Sequence, residues 1–113
     1  MSEESSLIYN KALDILSRRE HSAKELIFKL EKKFDSTEEI FLTVSKLKKN
    51  NLLNDFRYAE AYVVARKRKG FGPKKIKFEL LSKGIDESDI HKVLNEEGGW
   101  KKAAKKAFDK KFK

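Results

Sequence analysis

Ser22-Ala23-Lys24-Glu25-Leu26-Ile27-Phe28-Lys29-Leu30 is the stretch from which the fold can be read. Serine followed three residues later by glutamate is a capping box. The hydroxyl accepts from a backbone N–H of the first helical turn, and the carboxylate reaches back to the N-cap N–H. Behind it Leu26, Ile27, Leu30 and Phe34 recur at three- and four-residue spacing and so line one helix face. Fifty residues on, Gly72-Pro73-Lys74-Lys75-Ile76-Lys77-Phe78-Glu79-Leu80 repeats the pattern. Leu26 aligns with Ile76, Phe28 with Phe78, Leu30 with Leu80, Lys33 with Lys83 and Ile40 with Ile90. The hinge Glu20-His21-Ser22-Ala23 aligns with Gly70-Phe71-Gly72-Pro73. A helix that recurs with its neighbours at a fixed offset is one supersecondary unit used twice.

The flanking sequence completes each unit. Ile8, Ala12, Ile15 and Leu16 mark a first helix. Ser36-Thr37-Glu38-Glu39 reads as a second capping box, opening a helix with Ile40, Val44 and Leu47 inward and a stop at Asn50-Asn51. Asn54 is positioned to cap a fourth helix carrying Phe56, Ala59, Tyr62 and Val63. Pro73 suits the first position of a fifth, and Gly84 its end. Asp86 caps a sixth, with Ile90, Val93 and Leu94 inward. Gly98-Gly99 breaks the chain, and a seventh, very basic helix is expected from Trp100. With no strand pattern anywhere, the expected fold is all-α: tandem three-helix, helix-turn-helix-like repeats forming an elongated modular chain. The expected divisions are 1–52, 53–97 and 98–113, the last being the first helix of an incomplete third repeat.

Charge is the next constraint. The 113 residues carry 27 Lys/Arg against 18 Asp/Glu, a net charge of +9 that favours polyanionic partners. Residues 1–50 hold 10 basic and 9 acidic side chains, a net of +1, while residues 51–113 hold 17 and 9, a net of +8. The basic function is therefore assigned to the second half. There is no cysteine, which removes disulfides and thiolate metal sites. The polar, acidic N-terminus is no signal peptide, and no apolar run approaches a membrane span of roughly 18 residues. A soluble, cytoplasmic protein is expected.

The densest basic segment is Arg66-Lys67-Arg68-Lys69-Gly70-Phe71-Gly72-Pro73-Lys74-Lys75-Ile76-Lys77, with seven cations in twelve residues and no acid. Arg66, Lys67, Arg68 and Lys69 fall at a helix C-terminus, where cations complement the dipole. Lys74 and Lys75 fall at the next helix N-terminus, whose free N–H groups suit an anion, and Lys77 reaches out from the same helix. Such a junction fits a phosphate backbone or an acidic protein groove. The bland alternative is a solvated basic face. Phe71 is placed either to stack on a base or to pack between the helices, and packing is the commoner fate of a phenylalanine. Phe28 and Phe78 lie beside the main apolar stripe, and Tyr58 and Tyr62 suit an interface or a half-buried face. Lys101, Lys102, Lys105 and Lys106 around Trp100 and Ala103 make the seventh helix an additional basic surface.

Catalytic arrangements are absent. His21 and His91 sit in different units, and neither has the spacing of a metal pair. Most acids stand at helix starts, where the dipole explains them. No phosphate-binding loop or nucleophile elbow occurs. Neither an enzyme nor a cofactor nor a bound metal is expected.

Three blocks together resemble the RecX family, regulators of RecA recombinase. They are Ala12-Leu13-Asp14-Ile15-Leu16-Ser17-Arg18-Arg19-Glu20-His21-Ser22-Ala23-Lys24-Glu25-Leu26, then Leu53-Asn54-Asp55-Phe56-Arg57-Tyr58-Ala59-Glu60-Ala61, then the segment from Arg66 to Ile76 continued by Leu80 and Lys83-Gly84-Ile85. The resemblance runs from Tyr9 to Leu94. It implies tandem three-helix repeats, binding in the groove of the RecA–DNA filament, inhibition of the recombinase, and direct binding of single- and double-stranded DNA. The residues expected to make these contacts are Arg57, Arg66, Lys67, Arg68, Lys69, Lys74, Lys75 and Lys77, with Phe71 as a stacking or partner contact. Family members complete a third repeat, whereas this sequence runs to that repeat's first helix. A monomer with no membrane and no small-molecule substrate is implied. The alternatives are a helix-turn-helix DNA-binding protein that acts without RecA and, last, an interaction or membrane-surface module using the seventh helix.

Overall fold

The computed structural model describes residues 2–100. Six α-helices follow one another: α1 Glu3–Arg18, α2 Ala23–Glu31, α3 Thr37–Lys49, α4 Asp55–Arg68, α5 Pro73–Ser82 and α6 Glu87–Glu97. No strand occurs among the described residues. The helix expected beyond Trp100 lies outside them. The chain divides into two compact three-helix units between Asp55 and Phe56. The 50-residue offset is kept to the residue: α2 and α5 start at 23 and 73, α3 and α6 at 37 and 87, and α1 and α4 end at 18 and 68.

Each unit has its own core. In the first, Ile8, Ala12, Leu26, Leu30, Ile40 and Leu47 are all at most 1% exposed. In the second, Ala59, Val63, Ile76, Leu80 and Ile90 are fully buried, with Tyr58, Ile85 and Val93 nearly so. Fully burying each large aliphatic side chain contributes about 1.5–3 kcal/mol, so these faces are what hold short helices in place. Tyr58 is 5% exposed, a core residue and not the half-buried surface ring expected, because α4 turns it toward α5 and α6.

The helix starts follow the caps. Ser22 accepts from Glu25 N–H at 3.1 Å, and the Glu25 carboxylate accepts from Ser22 N–H at 3.2 Å, closing the box. Ser2 and Asp86 cap α1 and α6 with one bond each and no reciprocal partner, accepting from the Ser5 and Ser88 N–H groups. At Ser36 only the serine half forms, accepting from Glu39 N–H at 3.4 Å. The Glu39 carboxylate instead accepts from the Ser5 hydroxyl on α1, a tertiary contact that displaces the reciprocal cap bond. Asp55, the last residue of the first unit, accepts from Ala23 N–H at 2.8 Å and so adds a second acid to the start of α2.

Three helices end in Schellman turns, in which a left-handed residue folds the chain back onto the last carbonyls. Asn51 (φ 58°), Gly70 (φ 92°) and Gly84 (φ 81°) supply that conformation after α3, α4 and α5. Leu52, Phe71 and Ile85 N–H then donate to the carbonyls of Leu47, Arg66 and Leu80 at 2.9, 3.2 and 3.1 Å. At α5 the turn drops Ile85 into the core beside Leu80. α1 has glutamate where α4 has Gly70, and it leaves the helix through an extended Arg19 (φ −167°) instead.

Two measurements check this account. Leu30→Ala and Leu80→Ala should each lower unfolding stability by about 2–5 kcal/mol in a urea titration. Gly84→Ala should destabilise by roughly 1–2 kcal/mol, the difference being the left-handed backbone.

Candidate polyanion and partner interface

The α4–α5 hinge is built from the Schellman turn at Gly70. Because Gly70 reverses the chain, Phe71 returns over Arg66, whose carbonyl takes its N–H. The Arg66 guanidinium lies 3.9 Å from the Phe71 ring centroid, and the Lys75 ammonium lies 4.3 Å from it. Where most Schellman turns place two apolar side chains in contact, this one places a cation on an aromatic face, an interaction worth about 0.5–2 kcal/mol. Phe71 also packs against the second core. Its ring is thus occupied from both sides of the hinge.

The basic segment contains no acid, but the fold brings acids to it. Glu79, past the middle of the facing helix α5, receives Arg66 Nε at 3.0 Å and Nη2 at 2.8 Å in a forked pair. Both side chains are 22% exposed, so water screens this pair only in part. Lys67 pairs with Glu97 at 3.3 Å, donates to the Gly98 carbonyl at 2.6 Å, and lies 5.2 Å from the Trp100 ring. Lys77 pairs with Glu87 at 3.1 Å, and this ammonium holds the Glu87 carboxyl below its ordinary pKa. The premise that nothing neutralises the segment therefore fails for three of its seven cations.

The remaining four differ. Arg68, Lys69 and Lys74 are exposed and form no ion pair among the described residues, and the Lys75 ammonium has only the Phe71 ring. Arg68 closes α4 and Lys69 follows it, while Lys74 and Lys75 stand in the first turn of α5, where Gly72 offers no side-chain cap and Pro73 has no N–H to satisfy. The Lys74 and Lys75 amides point out of the first turn toward this surface, so backbone dipole and side-chain charge have the same sign. At the equivalent place in the first unit, Ser22 and Glu25 close the helix start on itself.

Arg57 lies further back on α4, half-buried. With Glu60, Ala61, Val64, Ala65 and Arg68 it borders a shallow groove of about 500 Å³ along one face of that helix. Lys101, Lys102, Lys105 and Lys106 lie outside the described residues. Phe28 and Phe78, at equivalent positions, are both exposed, at 60% and 73%. Among the described residues, no group of three potential ligands is close enough to hold a metal, and no helix is long and apolar enough to cross a membrane.

Residues 9–47 match the family description "RecX, first three-helix domain", and residues 54–94 match "RecX, second three-helix domain". The chain belongs to the RecX family. The regulatory protein RecX of Legionella pneumophila (strain Corby) is 40% identical over 106 residues, covering 93% of this chain and 71% of that one. The regulatory protein RecX of Pseudomonas syringae pv. tomato is 35% identical over 106 residues, covering 93% and 68%. The crystal structure of RecX from Lactobacillus salivarius superposes with a TM-score of 0.81 at 32% identity, over 92% of this chain and 67% of that one. A second RecX crystal structure gives 0.83 at 26% identity, over 93% and 51%. Both RecX domains are thus present as three-helix units, and the hinge described above lies within the second.

The hinge geometry makes a prediction about its acids. Glu79→Gln should cost about 1–3 kcal/mol of stability by weakening the forked pair to Arg66. It should also raise affinity for a polyanion such as heparin, because Arg66 becomes available. Thermal denaturation and heparin-column elution at fixed pH read the two effects separately.

Proposed function

We propose that this chain inhibits RecA recombinase by lying in the groove of the RecA–DNA filament and contacting DNA through its second unit. Its partners are the RecA filament and single- and double-stranded DNA, and it works in the cytoplasm as a monomer, by binding rather than by catalysis. The observation that carries this reading is the uncapped α5 start, with Lys74 and Lys75 in its first turn and Arg68 and Lys69 at the preceding helix end, in a chain of the RecX family. Those four residues are assigned to phosphate or to acidic groups of the filament. Arg66, Lys67 and Lys77 support the surface from behind through their ion pairs and contribute charge at longer range. Arg57 extends the basic surface along α4, and Lys101, Lys102, Lys105 and Lys106 add to it. Phe71, held between Arg66 and Lys75, shapes the hinge and offers an edge to a partner.

Binding of this kind does not read sequence. Neither α2 nor α5 contains Arg, Asn or Gln, the side chains that pair bidentately with base edges. A helix-turn-helix protein acting without RecA would need such residues on one of those helices.

The deciding assay is RecA ATPase on single-stranded DNA with increasing amounts of the folded chain. Inhibition is expected, and its absence at saturation would sink the proposal. Replacing Arg68, Lys69, Lys74 and Lys75 together with Glu should abolish inhibition and DNA binding while leaving the helical circular dichroism unchanged. Affinity for duplex DNA should fall steeply with salt. About six phosphate contacts correspond to a loss on the order of 10³-fold between 50 and 200 mM.

A further inference from the structure

The first unit carries its own cluster of cations, on the opposite side of the charge split from the hinge used above. A cleft of about 300 Å³ opens where α1 gives way to α2, bordered by Lys11, Asp14, Arg18, Arg19, His21 and Lys29. His21 is 1% exposed. Its Nδ1 stands 2.9 Å from the Arg19 carbonyl oxygen, which can only accept, so Nδ1 carries the proton and Nε2 is left as the acceptor. Lys29 Nζ donates to Nε2 at 2.7 Å. The neutral ring therefore fixes the Lys29 ammonium in place without cancelling its charge. Lys33, exposed just beyond α2, has its pKa pushed below the ordinary lysine value, first of all by Lys11.

The nearby acids are already committed. Asp14 is shared between Lys11 at 3.6 Å and Arg18 at 3.5 Å, and Glu25 takes Arg19 at 3.4 Å while completing the α2 cap. Neither Lys29 nor Lys33 forms an ion pair with a carboxylate among the described residues. Like charges held this close are relieved by a divalent anion that several ammoniums can share. We propose that this corner of the first unit binds a terminal phosphate dianion, with Lys11, Lys29 and Lys33 as its charge partners and His21 as the residue that positions Lys29. The second unit lacks this pair of side chains. At the equivalent positions Phe71 replaces His21 and Glu79 replaces Lys29.

A dianionic monoester is carried by a nucleotide and by a 5′-phosphorylated strand end, and the test separates them. The imidazole ¹H–¹⁵N signals of the full chain are followed during titration with inorganic phosphate, ADP, a 5′-phosphorylated oligonucleotide and its 5′-hydroxyl counterpart, at constant ionic strength held with chloride. His21 should shift saturably with phosphate while His91, exposed on α6 in the other unit, stays unmoved. The groups facing His21 are Arg19, Glu25 and Lys29, and a bound dianion should raise the pH at which it titrates. Binding of all three phosphorylated probes assigns any terminal phosphate. Binding of the phosphorylated strand without ADP assigns the strand end.

Lys33→Gln, an exposed change, should weaken binding about tenfold, the equivalent of ~1.4 kcal/mol. Charge reversal of Arg68 and Lys69 in the other hinge should not affect it, which separates this site from the RecA and DNA reading. Equal shifts of His21 and His91, indifference to Lys33→Gln, or equal binding of the 5′-hydroxyl strand would each overturn the proposal.

Discussion

The forked pair between Arg66 and Glu79 is the interaction on which the second unit's hinge depends. It joins the last turn of α4 to the middle of α5 and fixes the guanidinium under the Phe71 ring. The same residue's carbonyl accepts the N–H that closes the Schellman turn. Backbone, ring and charge thus converge on one side chain, and they are coupled. Without the carboxylate the guanidinium loses its anchor, and without the guanidinium the ring loses the cover on one face. Gly70 makes the arrangement possible, because an L-residue at its φ of 92° would add roughly 1–2 kcal/mol of strain to the turn. The most basic segment of the chain is therefore held in shape by an acid thirteen positions away in sequence.

That same position shows how one scaffold yields two surfaces. Lys29 and Glu79 occupy equivalent sites on the second helix of each unit, and both turn back toward the hinge. Lys29 meets the neutral His21, so the first hinge retains a cation at its wall. Glu79 meets Arg66, so the second hinge is neutral within and exposes its charge farther out, on Arg68, Lys69, Lys74 and Lys75. The helix starts are exchanged in the opposite sense. Ser22 and Glu25 satisfy the α2 amides internally, whereas Gly72 and Pro73 leave the α5 start open. Whether a hinge can receive an anion at its helix start is decided by that capping residue, since four N–H groups otherwise lack partners.

Much of this fold was legible in the sequence, because its helices obey local rules. Capping residues at Ser22 and Asp86, a proline at the start of α5, and left-handed positions at Asn51 and Gly84 all act through bonds within a few residues. The apolar faces did as well, since burial in a three-helix unit follows the 3.6-residue period. What local reading missed depends on tertiary proximity. Glu39 carries the spacing of a capping box, yet its carboxylate is taken by Ser5, which nothing in its own neighbourhood foretells. Tyr58 has a polar tip that suggested a surface, and packing overrode it. Glu79, Glu87 and Glu97 are dispersed in sequence, so their convergence on Arg66, Lys77 and Lys67 was invisible. One signal was available: Glu79 lies on the helix that the basic segment leads into.

The limits of charge counting follow from the same cause. A net of +8 in residues 51–113 and +1 in residues 1–50 describes the long-range field that each half presents, which governs attraction of a polyanion from a distance. It does not describe any one surface. Three hinge cations of the second unit are held in ion pairs with Glu79, Glu97 and Glu87, while the first unit, almost neutral in sum, has Lys11, shared with Asp14, and Lys29, which no carboxylate pairs, on one cleft. With a Debye length of about 8 Å at physiological ionic strength, a ligand at that cleft responds to the ammoniums beside it far more than to acids elsewhere on the unit. On the readings proposed above, the half of the chain with little net charge would hold an anion through a local cluster, and the half with the larger charge would meet one most directly through the four hinge cations that no acid pairs.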